Sequence, residues 1–513
     1  MHDNRPPASS ARSASSDWAV PLSVAGTAAV ALVASVPGSP FLPVLPAGSG
    51  PSGPFAWLAR AIALTSIHGN ALVGVGVAAV GLSAVAFLLV LRAAWRGELP
   101  MRTVVTLVIA SHVVVVFLPL LFSRDVYSYA MYGRIASVYH ANPYVSTPAD
   151  FPADPFTSLV GQKWISTPAV YGPLFTALSA GLAKVVSSIG GTIVAFRVVA
   201  VGSSLATVGI VASVARRMSP GRAVFAVAAV GMNPVVVFQS VASGHNDLLV
   251  ALSVAGAFAL VVARRELIAV VALSLGALVK ATAAVPLVLL LVFIVVRRPR
   301  GARLRAALLH VGVAAALGLA FAVPFFTRTD PTLGMSELAK HEGWLAPSRF
   351  FRRVFDALSG DSLGFVARGA FGVLIVIAMV ALCVALWRRT SVGAGAEELG
   401  AAWGWGLLLL MLLGPVLLPW YVTWALPLAW LLPRVPRAVL IGTSTALAIS
   451  QWTTEPARYP GAYTTNIVVG HYVITPVVIG LLAWLLADLW RRTRRGAPLG
   501  DERDDVAAPA REQ

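Results

Sequence analysis

Cysteine is almost absent from this chain. The one thiol, Cys383, lies within the apolar run FGVLIVIAMVALCVALW, so no intramolecular disulfide can form. Charge is scarce as well: only 12% of the 513 residues are Asp, Glu, Lys or Arg, against about 25% in a soluble domain. No P-loop, Rossmann glycine fingerprint, G-x-S-x-G or zinc-ligand spacing occurs, so nucleotide-driven chemistry has no visible home. There is no repeat of 20–50 residues. The first apolar run is long and ends in VASVPGSP, a weak cleavage-like site, so it reads as a retained span rather than a signal peptide.

What remains is apolar. Hydrophobic residues make up 58% of the chain, and long apolar runs recur from end to end. That pattern predicts an all-α, polytopic membrane protein. Fourteen spans are expected, near 19–36, 70–91, 103–122, 192–215, 223–241, 247–263, 266–281, 284–296, 304–326, 366–387, 400–413, 416–432, 437–451 and 471–490. The formal charge of +17 resembles a nucleic-acid footprint, but 21 of the 39 Lys and Arg residues fall in seven short loops between these spans or just after the last. That is positive-inside topology with contact to membrane lipid heads, and no nucleic-acid partner is expected. An even count puts both termini in the cytoplasm. They are a disordered tail at 1–18 and a charged one at 491–513, disordered from Gly496. The outer side carries long segments at 123–190, 327–362 and 452–470. Counting the apolar stretch YGPLFTALSAGLAKVVSSI (171–189) as a span would move every later basic loop outside, so it is expected to lie in the outer interface.

Polar residues of interest crowd on that outer side. In LFSRDVYSYAMYGRI (121–135), Asp125 follows an apolar run. It is either a helix cap, a role Ser123 could share, or a general base. Arg124 and Arg134 supply cations nearby. Tyr127, Tyr129 and Tyr132 read either as sugar-stacking rings or as an interfacial belt. Helical spacing puts Met131, Tyr132, Ile135, Val138 and Tyr139 on one face. In SGHNDLLVAL, His245, Asn246 and Asp247 fill a very short turn; Asp247 could cap the next span, and the trio is not a metal signature. Lys280, in LGALVKATAAVPL, is isolated among apolar residues. It must snorkel, pair or meet an anion such as a phosphate. In KHEGWLAPSRFFRRVF, Arg349, Arg352 and Arg353 follow His341 and Glu342 on the outer side, which suits an anionic ligand or a lipid surface. The 452–470 region and its flank (Glu455, Arg458, Tyr459, His471) read mainly as interface anchors. A donor on the outer side, away from soluble nucleotide-sugars, would have to be carried by lipid.

The segments RDVYSYAMYGRI, NPY, YGPL, GHNDLL and LGALVKATA, in that order, resemble the GT-C superfamily of polyprenyl-phosphate-sugar-dependent glycosyltransferases. More closely, they are similar to the actinobacterial polyprenyl-phosphomannose-dependent α-1,6-mannosyltransferases, which build the mannan backbone of lipomannan and lipoarabinomannan. The resemblance covers roughly residues 70–490. It implies a GT-C-type helical module at 19–490 with a large outer cavity and interface helices in the first outer loop. It implies Asp125 as general base, with the His245–Asp247 turn and Lys280 on the donor side. Charge alone adds Arg124, Arg349 and Arg352 as phosphate partners. Tyr127, Tyr129 and Tyr171 are expected to stack on the acceptor sugar. The implied donor is polyprenyl-phosphate-mannose; the implied acceptor is a mannan or a phosphatidylinositol-mannoside-type glycan. Many superfamily members bind a divalent metal through paired acidic residues. Here Asp125 is followed by Val and Tyr, so no cofactor or metal is expected. The competing readings are a transferase for another polyprenyl-phosphate sugar, a lipid-linked-sugar flippase and a non-catalytic scaffold.

Overall fold

The computed structural model describes residues 14–43, 53–325, 341–360, 363–453 and 456–500. Among these residues every regular element is helical. Eight helices are long and apolar enough to cross a membrane: Asp17–Ala34, Gly69–Trp95, Ile189–Met218, Pro220–Val241, Arg300–Phe325, Gly364–Ser391, Ala396–Leu413 and Pro460–Arg495. Five apolar helices are shorter: Met101–Val116, Pro173–Val185, Asp247–Val262, Glu266–Val279 and Ala281–Val296. The protein is a polytopic, all-helical membrane protein.

Burial divides the long helices into an inner and an outer set. The apolar windows of Pro220–Val241 and Ala396–Leu413 are 94% and 83% buried, those of Arg300–Phe325 and Gly364–Ser391 only 11% and 17%. Apolar side chains that are exposed along a spanning helix face lipid, which costs nothing there. The inner helices close around large rings: Trp403, Trp405 and Trp430 are fully buried.

Several expectations change. Residues 416–432 are not a spanning helix. They form two 3₁₀ turns, Pro419–Trp424 and Leu426–Leu428, buried throughout. Pro415, Pro419, Pro427 and Pro433 explain this, because each removes an amide donor that an α-helix would use. Such irregular backbone is tolerated at membrane depth only when enclosed by protein. The stretch before Asp247 also departs from α geometry, running as a π-helix over Val235–Val241 after Pro234. The outer segment 452–470 is helical from Pro460, in a run continuous to Arg495. At 1.5 Å per residue that run is about 54 Å long, well beyond a hydrocarbon core of about 30 Å. The C-terminal segment is ordered past Gly496. The Glu398 carboxylate accepts the amides of Leu499 and Gly500 at 2.8 and 3.1 Å, and Trp405 Nε1 donates to the Leu499 carbonyl. The expected N-terminal tail lies outside the described residues as far as residue 13.

Pro173–Val185 is a separate helix of 13 residues, about 20 Å long and too short to cross the bilayer unaided. It packs along Asp125–Ser137. At their contact, Gly133 brings the first helix within van der Waals reach of the Ser179 backbone.

Candidate active site

The site begins where the Met101–Val116 helix ends and the chain turns into Asp125–Ser137. Phe122 adopts a left-handed conformation, φ 56°, unusual for a bulky residue. Its amide donates to the Phe41 carbonyl at 2.8 Å, its carbonyl accepts from Gln451 Nε2 at 2.9 Å, and its ring lies 4.9 Å from that of Phe41. These three ties over-determine the turn and fix the start of the Asp125–Ser137 helix. Ser123 Oγ accepts the Asp125 amide at 3.1 Å. That bond closes the turn just before the helix, and the Asp125 carboxylate faces a cavity of about 520 Å³. Burial raises the Asp125 pKa to about 6, against an opposing pull from the charge of Lys280.

The GHND turn stands behind Asp125. Gly244 has φ +68° and a Cβ there would meet Val126 at 3.0 Å, so glycine is required twice over. The His245 ring stacks on Trp420 with centroids 3.8 Å apart. Its Nδ1 lies 3.5 Å from Asp125 Oδ2 and 3.2 Å from the Tyr129 hydroxyl. Burial, reinforced by the charge of Lys280, holds this histidine well below its ordinary pKa, so the contact with Asp125 is not an ion pair. Asp247 is fully buried; its Oδ1 accepts from Lys280 Nζ and from Trp424 Nε1, both at 2.7 Å. Three consecutive residues carry buried polar atoms without a hydrogen-bond partner among the described residues: His245 Nε2, Asn246 Nδ2 and Asp247 Oδ2.

Lys280 stands where the Glu266–Val279 helix breaks into a 3₁₀ turn, Ala281–Ala283. Its ammonium lies over the rings of Tyr421 and Trp424, 4.3 and 5.2 Å from their centroids, where cation–π attraction adds to the ion pair. It also lines the cavity, together with Arg124, Asp125, Tyr171 and Arg349. Trp164, Trp344, Trp420 and Tyr421 line it as well.

Five of the expected site residues thus share one cavity. His245, Asn246 and Asp247 form a buried layer beneath it. Tyr127 and Tyr129 do not serve as sugar platforms: they are 0% and 1% exposed, because the Asp125–Ser137 helix is enclosed by protein instead of lying on an interface. Tyr129 contacts Tyr171 and Phe175 edge to face, 4.9 Å from each. The proposed helix face holds for Met131, Tyr132 and Ile135, but Val138 and Tyr139 are exposed. Arg352 does not reach the cavity. Glu342 and Asp356 each take one of its nitrogens at 2.7 Å, and two carboxylates satisfy it. Arg134 is spent on Asp154 at 2.7 Å. Arg458 donates to the carbonyls of Ser39 and Leu42, and Tyr459 to that of Gly38, so both pin the turn after the first span. Glu455 lies outside the described residues.

Sequence reasoning missed Trp420, Tyr421 and Trp424, which came hidden in a supposed span; the prolines around PWYVTW were the available signal. It also missed Arg197, a buried cation in the apolar part of the Ile189–Met218 helix, far from Arg216 and Arg217 in its last turn. This guanidinium donates to the carbonyls of Val116, Leu118, Pro119 and Ala242 at 2.6–3.2 Å. It ties the segment that leads to Asp125 to the segment that leads to His245. Of the other carboxylates near Asp125, Asp247 carries Lys280 on Oδ1 and Glu342 lines the same cavity, and among the described residues no three His, Cys, Asp or Glu side chains gather.

The family model described as "Alpha-(1->6)-mannopyranosyltransferase, N-terminal domain" matches residues 21–297. The matched stretch holds Asp125, the GHND turn, Arg197 and Lys280, but not Arg349 or the 3₁₀ turns with Trp420 and Trp424. Alpha-(1->6)-mannopyranosyltransferase A of Mycobacterium tuberculosis is 26% identical over 344 residues, a match covering 63% of this chain and 64% of that protein. Since the family model spans more than half of its length, this chain belongs to the alpha-(1->6)-mannopyranosyltransferase family.

Proposed function

We propose that the protein transfers mannose from a polyprenyl-phosphate-mannose donor to a mannan or phosphatidylinositol-mannoside-type acceptor, forming an α-1,6 linkage with inversion. One observation carries the reading: a carboxylate tuned to about 6 by burial shares a cavity with cations and aromatic walls. The acceptor hydroxyl attacks the anomeric carbon opposite the phosphate. Asp125 takes the hydroxyl proton, the new C–O bond forms, and the bond to the phosphate oxygen breaks with its electron pair leaving on polyprenyl phosphate. Charge develops on that phosphate, which Arg124, Arg349 and the cavity-facing N–H groups of Lys280 are suited to receive. Trp164, Trp344 and Tyr171 supply apolar faces for sugar rings. His245, neutral and 3.5 Å from Asp125, orients the base.

In this reading the cavity opens on the extracytoplasmic face of the plasma membrane, both termini are cytoplasmic, and no metal takes part. A base of pKa about 6 is ionised at neutral pH and still accepts a proton. The test is mannose transfer from synthetic polyprenyl-phosphomannose to a short α-1,6-mannoside. Asp125→Asn is expected to lower the rate at least about 100-fold, the scale of a general base. A wild-type rate in that variant refutes the base assignment. Movement of lipid-linked sugar across vesicles without transfer identifies a flippase, and transfer from a different polyprenyl-phosphate sugar corrects the donor. Chelators are expected to leave the rate unchanged; inhibition reversed by manganese overturns the metal-free mechanism.

A further inference from the structure

At the end of the molecule opposite to the sequence-expected outer loops, three basic loops distant in sequence meet around Trp95. The Gly69–Trp95 helix carries Arg92 in its last turn and has Arg96 at its C-cap. The Arg434–Ala448 helix begins with Arg434 and Arg437. The guanidinium of Arg437 lies 4.1 Å from the Trp95 ring centroid, and that of Arg222, from the third loop, lies 5.5 Å from it. Arg437 is held in place further by donating to the Leu432 carbonyl at 3.1 Å. Between the two helices runs a slot of about 460 Å³ that Arg92, Arg96, Arg434 and Arg437 line. No carboxylate lines it among the described residues; Glu98 stands beside Arg96 at 3.8 Å, outside the lining.

The helix ends are unequal in what they explain. Arg92 and Arg96 at a helix C-terminus are favoured by the backbone dipole. Arg434 and Arg437 at a helix N-terminus are disfavoured by it, and an anion in the slot would offset that cost. The rest of the slot is apolar: Leu88, Leu91, Phe225 and Ile441 continue it along the helices toward the hydrocarbon region. Leu88 and Trp95 are 41% and 42% exposed there. A small soluble anion would meet Arg92 and Arg434 but leave the exposed Leu88 and Trp95 uncovered. A ligand with a phosphate head and an acyl chain satisfies both.

We propose that this slot is a binding site for an anionic phospholipid of the leaflet at the basic, cytoplasm-expected end, independent of the transfer reaction. The headgroup phosphate sits between Arg92 and Arg434, and one acyl chain lies on Leu88 and Ile441. The full chain, purified in detergent and delipidated, is titrated with phosphatidylglycerol, phosphatidylcholine of the same chains, and inorganic phosphate, with bound lipid read by native mass spectrometry. Phosphatidylglycerol is expected to be retained, phosphatidylcholine to be retained far less, and phosphate not to displace the lipid at millimolar concentration. Arg92→Gln with Arg434→Gln is expected to weaken phosphatidylglycerol about thirtyfold, since each guanidinium near a lipid surface is worth about fivefold. Arg92→Lys with Arg434→Lys, which keeps both charges, is expected to retain most of the binding and controls for folding. Equal retention of the two lipids, or unchanged binding in the Gln pair, overturns the site. Displacement by inorganic phosphate alone shows a soluble-anion site and overturns the lipid assignment.

Discussion

Replacing Gly172 with alanine tests how the segment before the Pro173–Val185 helix controls Lys280. Gly172 precedes the Pro173–Val185 helix, and its amide donates to the Val279 carbonyl at 3.0 Å. A Cβ on Gly172 would lie 2.1 Å from the Leu278 carbonyl oxygen and 2.5 Å from its carbon. Ordinary carbon–oxygen contact begins near about 3.3 Å, so one backbone must retreat by roughly 1 Å. Neither neighbour is a flexible side-chain tip. The retreat stretches the Gly172–Val279 hydrogen bond and carries along Lys280, the next residue, whose ammonium sits 2.7 Å from Asp247. Overpacking of this kind costs about 1–3 kcal/mol in stability, and a misplacement of about 1 Å in a catalytic group costs about 100-fold in rate. The expected result is a folded Gly172→Ala protein with a transfer rate down by one to two orders of magnitude. Gly181→Ala is the matched control. It lies on the same helix with nothing within 4 Å of its added carbon, so it should keep full activity and gain up to about 1 kcal/mol from helix propensity. Wild-type turnover in Gly172→Ala would refute the idea that this contact sets the position of Lys280.

The same geometry carries two further expected outcomes. In the proposed reaction Asp125 works ionised, with a pKa raised to about 6 by burial, so kcat/KM should fall about tenfold per pH unit below that value. The charge of Lys280 lowers the Asp125 pKa. Lys280→Met should therefore move the acid limb of the pH–rate profile to higher pH, and an unmoved or lowered limb refutes the coupling. Arg197→Lys keeps the charge but offers three protons in place of five hydrogen bonds to four carbonyls. Losing at least two of those bonds should cost about 2 kcal/mol, read from reversible unfolding in mixed detergent micelles. Stability equal to wild type would show that Arg197 does not clamp the two segments.

The spanning helices were legible because apolar runs long enough to cross a bilayer have few alternatives. The stretch 416–432 deceived for the same reason: its composition suits a span, while the four prolines in and beside it forbid one. Composition reads the solvent and proline spacing reads the backbone, and here the backbone decided. The tyrosines after Asp125 were misassigned through a related ambiguity. Helical spacing tells which residues share a face but not whether that face meets lipid or protein. Helix Pro173–Val185 covers it, a contact between segments distant in sequence that no local pattern encodes. Asp125, the GHND turn and Lys280 stood out because isolated polar groups among apolar ones must be explained by a partner or a task. What remained invisible was which of them pair with one another.

That pairing changes the roles. With Asp247 Oδ1 at 2.7 Å, Lys280 is not a bare cation waiting for a phosphate. Its charge is shared between buried Asp247, which it neutralises, and Asp125, whose pKa it restrains. Removing Asp247 would leave Lys280 nearer to a full charge but without a fixed position. Removing Lys280 would bury a carboxylate whose one remaining side-chain donor among the described residues is Trp424. A substitution at either position is thus limited by the other, whatever the ligand. Among the other cations on the cavity wall, Arg124, Lys163 and Arg349, the two arginines are then the better candidates for the phosphate of the proposed donor. The question Asp125 first posed, cap or base, meets the same geometry: no side chain caps the Asp125–Ser137 helix at Arg124, Ser123 Oγ takes the Asp125 amide, and the Asp125 carboxylate lines the cavity, where the proposed reaction uses it as the base.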